Sequence, residues 1–191
     1  MKKLVSLITF AACAALGLFA RAAEKPVQLA DPRGVQHQPL AAKDARAIVL
    51  QFIAPDCPIS NAYIPEIKRL TTDYANQQIA FYLVYVDPDL TGADVKKHVD
   101  EFGLSATALL DPKHLLVKRT GASVTPQTVV MSPEGTVLYR GRIDDLYLDF
   151  GKRQEHPRQR DLRNALDAIL AGKPVPVKET KAVGCYIGDT K

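Results

Sequence analysis

Sulfur supplies the reactive side chains of this 191-residue chain, whose three cysteines stand at positions 13, 57 and 185. The thiolate form of cysteine is a nucleophile and a soft-metal ligand. Cys57 lies in Asp56-Cys57-Pro58-Ile59-Ser60, directly after an apolar run and directly before a helical pattern. A cysteine at such a join meets unpaired backbone N–H groups and the positive end of the helix dipole, which favour a thiolate, while Asp56 acts in the opposite sense. Ser60, three residues on, offers a hydroxyl that can donate to the sulfur but cannot form a disulfide. The alternative is that Cys57 is a small buried apolar residue, a common fate of isolated cysteines. Two flanking prolines and an acid predict a more exposed position than that.

Cys185 lies in Gly184-Cys185-Tyr186-Ile187-Gly188, after a stretch that Pro174 and Pro176 hold out as a semi-rigid arm. Its glycine neighbours suit a close approach of backbone. If the arm folds back, Cys185 pairs with Cys57 and closes a loop spanning 128 positions. A purely structural bridge and an unpaired tail thiol are the competing readings.

The elements that must position these sulfurs follow from periodicity. A continuous β-branched and apolar run over 47–53 predicts a strand buried on both faces, stopped by Pro55 and Pro58. Over 60–76, Tyr63, Ile64, Ile67, Leu70 and Tyr74 recur at helical steps, and Pro65 falls in the first turn or kinks the helix. A second buried strand covers 79–86. Thr91 then caps a helix carrying Val95, Val99 and Phe102 and stopped by Gly103. A short strand over 107–110, a short helix over 113–120, a strand over 127–131, a turn at 132–135, a strand over 136–140 and a helix over 160–170 complete the order. This β-α-β-α-β-α-β-β-α alternation predicts an α/β domain, a central mixed sheet with helices on both faces. Residues 24–46 and 173–191 read as irregular or extended.

Composition bounds what such a domain does. With 47% hydrophobic and 24% charged residues the chain fits one globular domain, and three cysteines are too few for a disulfide scaffold. Lys2 and Lys3, an apolar run over 4–20 and the small residues of Ala20-Arg21-Ala22 form a signal-peptide pattern over residues 1–22, with cleavage after Ala22 or Ala23. An uncleaved anchor and lipidation at Cys13 are the lesser alternatives. Cleavage removes three basic residues and Cys13, so 22 basic residues face 21 acidic ones and only Cys57 and Cys185 remain. The formal charge of +4 on the whole chain therefore falls to +1, which leaves no argument for a nucleic-acid partner. Outside the cytosol, two thiols form disulfides that persist.

The strand, Cys57-Pro58-Ile59-Ser60 at a helix start, the intervening β-α units and Val124-Thr125-Pro126-Gln127 entering a strand and hairpin resemble the thioredoxin-like superfamily. The resemblance is to its redoxin branch, which includes the alkyl hydroperoxide reductase/thiol-specific antioxidant proteins; it covers residues 45–172, or 27–172 with the entry segment, and implies a domain over 23–172 that leaves 173–191 as an extension carrying Cys185. It implies a thioredoxin-like fold, a cis bond before Pro126 opposite Cys57, and a substrate groove shaped by Thr125, Pro126 and Pro58. This chain departs from the superfamily in lacking Trp, in having Asp56 in the usual Trp place and Ser60 in place of a second cysteine, which brings the motif near the monothiol Cys-Pro-x-Ser glutaredoxin form. Leu50 and Ala54 stand where peroxiredoxins carry Pro and Thr or Ser. Copper-delivery proteins of the Sco type use a Cys-x-x-x-Cys pair, of which one cysteine is present.

The expected protein is an exported or periplasmic thiol–disulfide oxidoreductase. Cys57 is its nucleophile, Ser60 supports the sulfur and Cys185 resolves a mixed disulfide. Its partners are a thiol or disulfide substrate, protein or small molecule, and a separate redox partner; no cofactor is expected and no membrane insertion after signal cleavage. A thiol-dependent peroxidase using Cys57 and a copper-handling module are the rivals. His37, His98, His114 and His156 have no metal-ligand spacing, and His98 is expected on an exposed helix face. Arg140, Arg142, Asp144 and Asp145 are read as a solvated turn.

Overall fold

The computed structural model describes residues 26–189, so the signal pattern of 1–22 and Cys13 lie outside the described residues. The strands are β1 (Leu29–Ala30), β2 (Gln36–His37), β3 (Ala47–Ile53), β4 (Ile79–Tyr85), β5 (Thr107–Leu110), β6 (Val124–Thr125), β7 (Gln127–Met131), β8 (Val137–Gly141), β9 (Tyr147–Asp149), β10 (Lys152–Arg153) and β11 (Cys185–Tyr186). The helices are α1 (Pro58–Ala62), α2 (Ile64–Asp73), α3 (Gly92–Phe102), α4 (Leu115–Thr120) and α5 (Asp161–Leu170). Seven strands form one mixed sheet in the order β2-β1-β5-β4-β3-β7-β8. β3, β4 and β5 run parallel, whereas β7 lies antiparallel to β3 and β8 antiparallel to β7.

The apolar run of β3 puts it at the centre, and all seven of its residues are buried. Alternation then sends Ile48, Leu50 and Phe52 into the core shared with Leu116 and Val129, and Val49 and Ile53 into the core shared with Ile67, Leu70 and Leu166. The one polar residue of the strand, Gln51, is satisfied there: its amide donates to the Gln127 carbonyl (3.2 Å) and its carbonyl accepts from the Thr128 hydroxyl. Each large side chain buried in this way contributes about 1.5–3 kcal/mol.

Three local features differ from the periodicity reading. The helix expected over 60–76 is two helices meeting at Tyr63, because Pro65 has no N–H to give the Asn61 carbonyl one turn back. Residues 29–37, within the stretch read as irregular or extended, form the β1/β2 hairpin. Asp31 folds it by accepting from the Arg33 and Val35 amides (2.8 and 3.0 Å) and facing the Arg33 guanidinium and His37. The tail is seated along the domain at two places. Arg140 and Thr180 exchange backbone bonds with the tail and β8 (Arg140 N–H to the Lys178 carbonyl, 2.9 Å; Thr180 N–H to the Arg140 carbonyl, 3.1 Å), and further on β11 pairs antiparallel with β6.

α3 follows its sequence signals closely. Thr91 and Asp94 form a reciprocal capping box, and Gly103 closes the helix in the left-handed region at φ +59°.

Candidate active site

Cys57 is the N-cap residue of α1, with Pro58 in the first helical position, where its fixed φ suits the helix and its missing N–H costs nothing. The Ser60 backbone N–H donates to Cys57 Sγ at 3.4 Å, and the thiol donates to the Thr125 carbonyl at 3.0 Å. The Ser60 hydroxyl is placed otherwise than the sequence implied, since it accepts from the Ala54 N–H (3.3 Å); the contact to sulfur is made by backbone. Cys57 is 1% exposed, which corrects the expectation of an accessible thiol. Pro58 and Asp56 beside it are exposed, but the cysteine side chain turns inward to the core that also holds Ile59 and Tyr63.

Thr125 and Pro126 lie opposite, both buried, and the peptide bond between them is cis. The Thr125 carbonyl meets the sulfur. β6 is a two-residue segment whose partner is the tail: Cys185 is opposite Thr125, Tyr186 is opposite Val124, and the Ile187 N–H donates to the Ser123 carbonyl at 3.0 Å. This pairing seats Cys185 beside Cys57, packed against the same core cluster. Both thiols are free, Cys57 buried and Cys185 half-buried. Burial pushes the Cys185 thiol up to about 11, and the neighbouring Cys57 and Asp56 act in the same direction. At neutral pH Cys185 is therefore a protonated thiol beside Cys57.

Glycine makes this approach possible. A Cβ on Gly184 would stand 2.0 Å from the Thr125 carbonyl oxygen, so no larger residue fits at that point of the tail. At the root of the tail, a Cβ on Gly141 would stand 2.1 Å from Thr180 Oγ1, which binds the Tyr139 hydroxyl (2.7 Å) and accepts from the Arg142 N–H (3.1 Å).

A buried network that sequence reading missed braces the loop before Cys57. Asn61 donates to the Pro55 carbonyl (2.7 Å), and its side-chain oxygen meets Nε2 of His98 (3.1 Å), whose Nδ1 meets the Tyr85 hydroxyl (2.9 Å). His98 is thus buried, not exposed; it falls on the apolar face of α3, three residues after Val95 and four before Phe102. Burial holds its pKa below the ordinary histidine value, with Glu101 opposing. Because the folded state resists the proton that the unfolded chain accepts at about pH 6.5, stability present above that pH is lost on acidification. Urea melts of His98→Gln are expected to show a flatter stability profile between about pH 5 and 7; an unchanged slope would assign the loss to another group.

The turn after β8 is likewise not solvated. Asp144 and Asp145 are buried, Asp144 accepting from the Leu146 N–H (2.9 Å) and Asp145 from the Arg158 and Gln159 amides (2.7 and 2.9 Å). Arg140 pairs with Glu179 of the tail and Arg142 with Asp161. Among the described residues no three His, Cys, Asp or Glu side chains gather as a metal-holding group, and no helix is long and apolar enough to cross a membrane.

A parallel β-α-β core, an antiparallel β7–β8 extension, a cysteine capping the helix after the first core strand and a cis proline facing it define a thioredoxin-like protein. The chain belongs to the AhpC/TSA family, which matches residues 22–140 and so ends before α5 and the tail. It is similar to the thiol-disulfide oxidoreductase ResA of Halalkalibacterium halodurans, 26% identical over 122 residues, or 62% of this chain and 67% of that protein. Two solved structures lie near it. A hypothetical protein from Sinorhizobium meliloti is 27% identical with a TM-score of 0.74, covering 86% of this chain and 91% of its own. An uncharacterised conserved protein from Geobacillus kaustophilus is 29% identical with a TM-score of 0.72, covering 85% and 87%.

Proposed function

We propose that this protein is a periplasmic or otherwise exported thiol–disulfide oxidoreductase of the redoxin type in which Cys57 and Cys185 form the working pair. The observation that carries the reading is the pairing of β11 on β6, which sets Cys185 opposite Thr125 and against the core cluster that holds Cys57. The likeness to ResA supports the reaction class, and the basic start and apolar run of residues 1–22 support export.

In the forward direction the Cys57 sulfur attacks one sulfur of a substrate disulfide. The S–S bond breaks, one thiolate leaves and takes a proton, and a mixed disulfide remains on Cys57. Cys185 then attacks the Cys57 sulfur and expels the second substrate thiol, so two electrons pass from the protein dithiol to the substrate. The Ser60 N–H is the donor that faces the Cys57 sulfur in this sequence. A separate redox partner restores the dithiol.

Peptide mapping by mass spectrometry without reduction, after treatment of the protein with diamide, tests the pairing. A cross-linked peptide holding Cys57 and Cys185 is expected. Recovery of both cysteines as alkylated free thiols would overturn it.

Family membership favours one second reading, in which Cys57 attacks a hydroperoxide and Cys185 condenses with the sulfenic acid to release water. Leu50 and Ala54, which provide no side-chain donor near the sulfur, weigh against it. Peroxide consumption by wild type but not by Cys57→Ser separates the two.

A further inference from the structure

β6 is the strand segment that runs past Cys57, and the chain itself already occupies it. An extended polypeptide presenting a disulfide to this cysteine would gain most by adding to β6 through backbone hydrogen bonds. Here the positions opposite Val124 and Thr125 are taken by Tyr186 and Cys185, the Ser123 carbonyl is taken by the Ile187 N–H, and the Thr125 carbonyl is taken by the Cys57 thiol. The seat has no slack at either end. Gly184 lies against the Thr125 carbonyl with no room for a methyl group, and Thr180 lies against Gly141 in the same way while its hydroxyl binds Tyr139 and Arg142.

We propose that the tail sets the substrate specificity of Cys57: seated by Gly184 and rooted by Thr180, it keeps extended polypeptides off β6 and admits compact disulfides, which need reach only the sulfur pair. The inference rests on the thiol-exchange reading and adds the class of substrate. Exchange itself is the same for both classes. One substrate S–S bond breaks, one protein S–S bond forms between Cys57 and Cys185, and two protons with two electrons pass to the two substrate thiols. Specificity enters before this chemistry, in what can lie beside β6 while the tail is there. Cys185, half-buried where Cys57 is fully buried, marks the side from which a compact reagent meets the pair.

The test compares two probes on reduced wild type, Gly184→Ala and Thr180→Val. The compact probe is 5,5′-dithiobis(2-nitrobenzoate), scored by thionitrobenzoate release and by peptide mapping. The polypeptide probe is insulin, with dithiothreitol as recycling reductant. The mature wild type, cut after Ala22 and so without Cys13, is expected to release two thionitrobenzoate ions per chain, one for each sulfur of the pair, and to end with the Cys57–Cys185 bond, while reducing insulin slowly. Gly184→Ala, whose added methyl must lift the tail and Cys185 with it from an unyielding backbone, is expected to react with insulin about tenfold faster through Cys57, dithiothreitol resolving the mixed disulfide, and to close the internal bond more slowly with the nitrobenzoate probe. Thr180→Val, which frees the root and leaves Gly184 and Cys185 seated, is expected to shift insulin reduction in the same direction by a smaller factor with its nitrobenzoate reaction within about twofold of wild type. Insulin rates in both variants at or below wild type, with Thr180→Val giving a normal nitrobenzoate reaction, would overturn the specificity proposal alone. A nitrobenzoate reaction that leaves both cysteines separately labelled, with no internal bond, would overturn the working pair and this proposal together.

Discussion

Cys57→Ser is expected to lower disulfide exchange at least about 10³-fold, to the uncatalysed level, while the domain stays folded. The loss is large because serine forms no mixed disulfide, so the reaction loses its covalent step and not just an accessory contact. The fold survives because the replacement occupies a site already equipped for a hydroxyl: it can donate to the Thr125 carbonyl and accept from the Ser60 N–H as the thiol does. The stability cost is about 1 kcal/mol, within the range of an ordinary point change. Reduction of oxidised glutathione, a compact disulfide, and a thermal melt on the same sample check both halves. Activity above about a tenth of wild type, in a variant that melts normally, would remove Cys57 from the chemistry. Ser60→Ala provides the contrast, since its contact to sulfur is through backbone; it should lower activity only a few-fold.

Oxidation should raise the melting temperature sharply. A Cys57–Cys185 bond closes a loop spanning 128 positions, and in the chain-entropy view such a closure restricts the unfolded ensemble by about 5 kcal/mol. For a chain of this length that corresponds to an increase of about 10–20 °C. The pairing of β11 on β6, which already seats Cys185 beside Cys57, argues against a large native-state distortion that would offset the gain. Differential scanning calorimetry of diamide-oxidised and reduced protein checks the prediction, with Cys185→Ser as control. The control should melt at one temperature whatever its redox history, close to that of reduced wild type. Identical melting of oxidised and reduced wild type would show that the bridge does not form or is strained.

Much of the positioning scaffold was legible because it depends on short-range pattern. The apolar run of β3, the capping box of Thr91 and Asp94, the stop at Gly103 and the turn before β8 each declare themselves within a few residues. Cys57 at a strand-to-helix join and Pro126 before a strand could be placed for the same reason. The burial of Cys57 could not, because what meets it arrives from 68 and 128 positions away and adds no local signal at Asp56-Cys57-Pro58. The β1/β2 hairpin escaped periodicity because strands of two residues have none, and the side chain that folds it, Asp31, reads as any loop acid. His98 was readable in principle, since its spacing from Val95 and Phe102 puts it on the buried face. The flanking Lys96 and Lys97 drew it toward the polar one. Asp144 and Asp145 look like solvated charges until the backbone amides that face them are known.

The seating of residues 178–180 along β8 has a consequence apart from redox chemistry. At one side the seven-stranded sheet ends in β2, only two residues long, and at the other it ends in β8, whose free backbone groups are covered by the tail at Arg140. An uncovered strand edge is a template on which other chains polymerise. The same peptide that delivers Cys185 is thus also an aggregation guard. Cutting the chain between α5 and Lys178 would expose the edges of β8 and β6 at once, so a nicked molecule would be lost to self-association as well as deprived of its second sulfur.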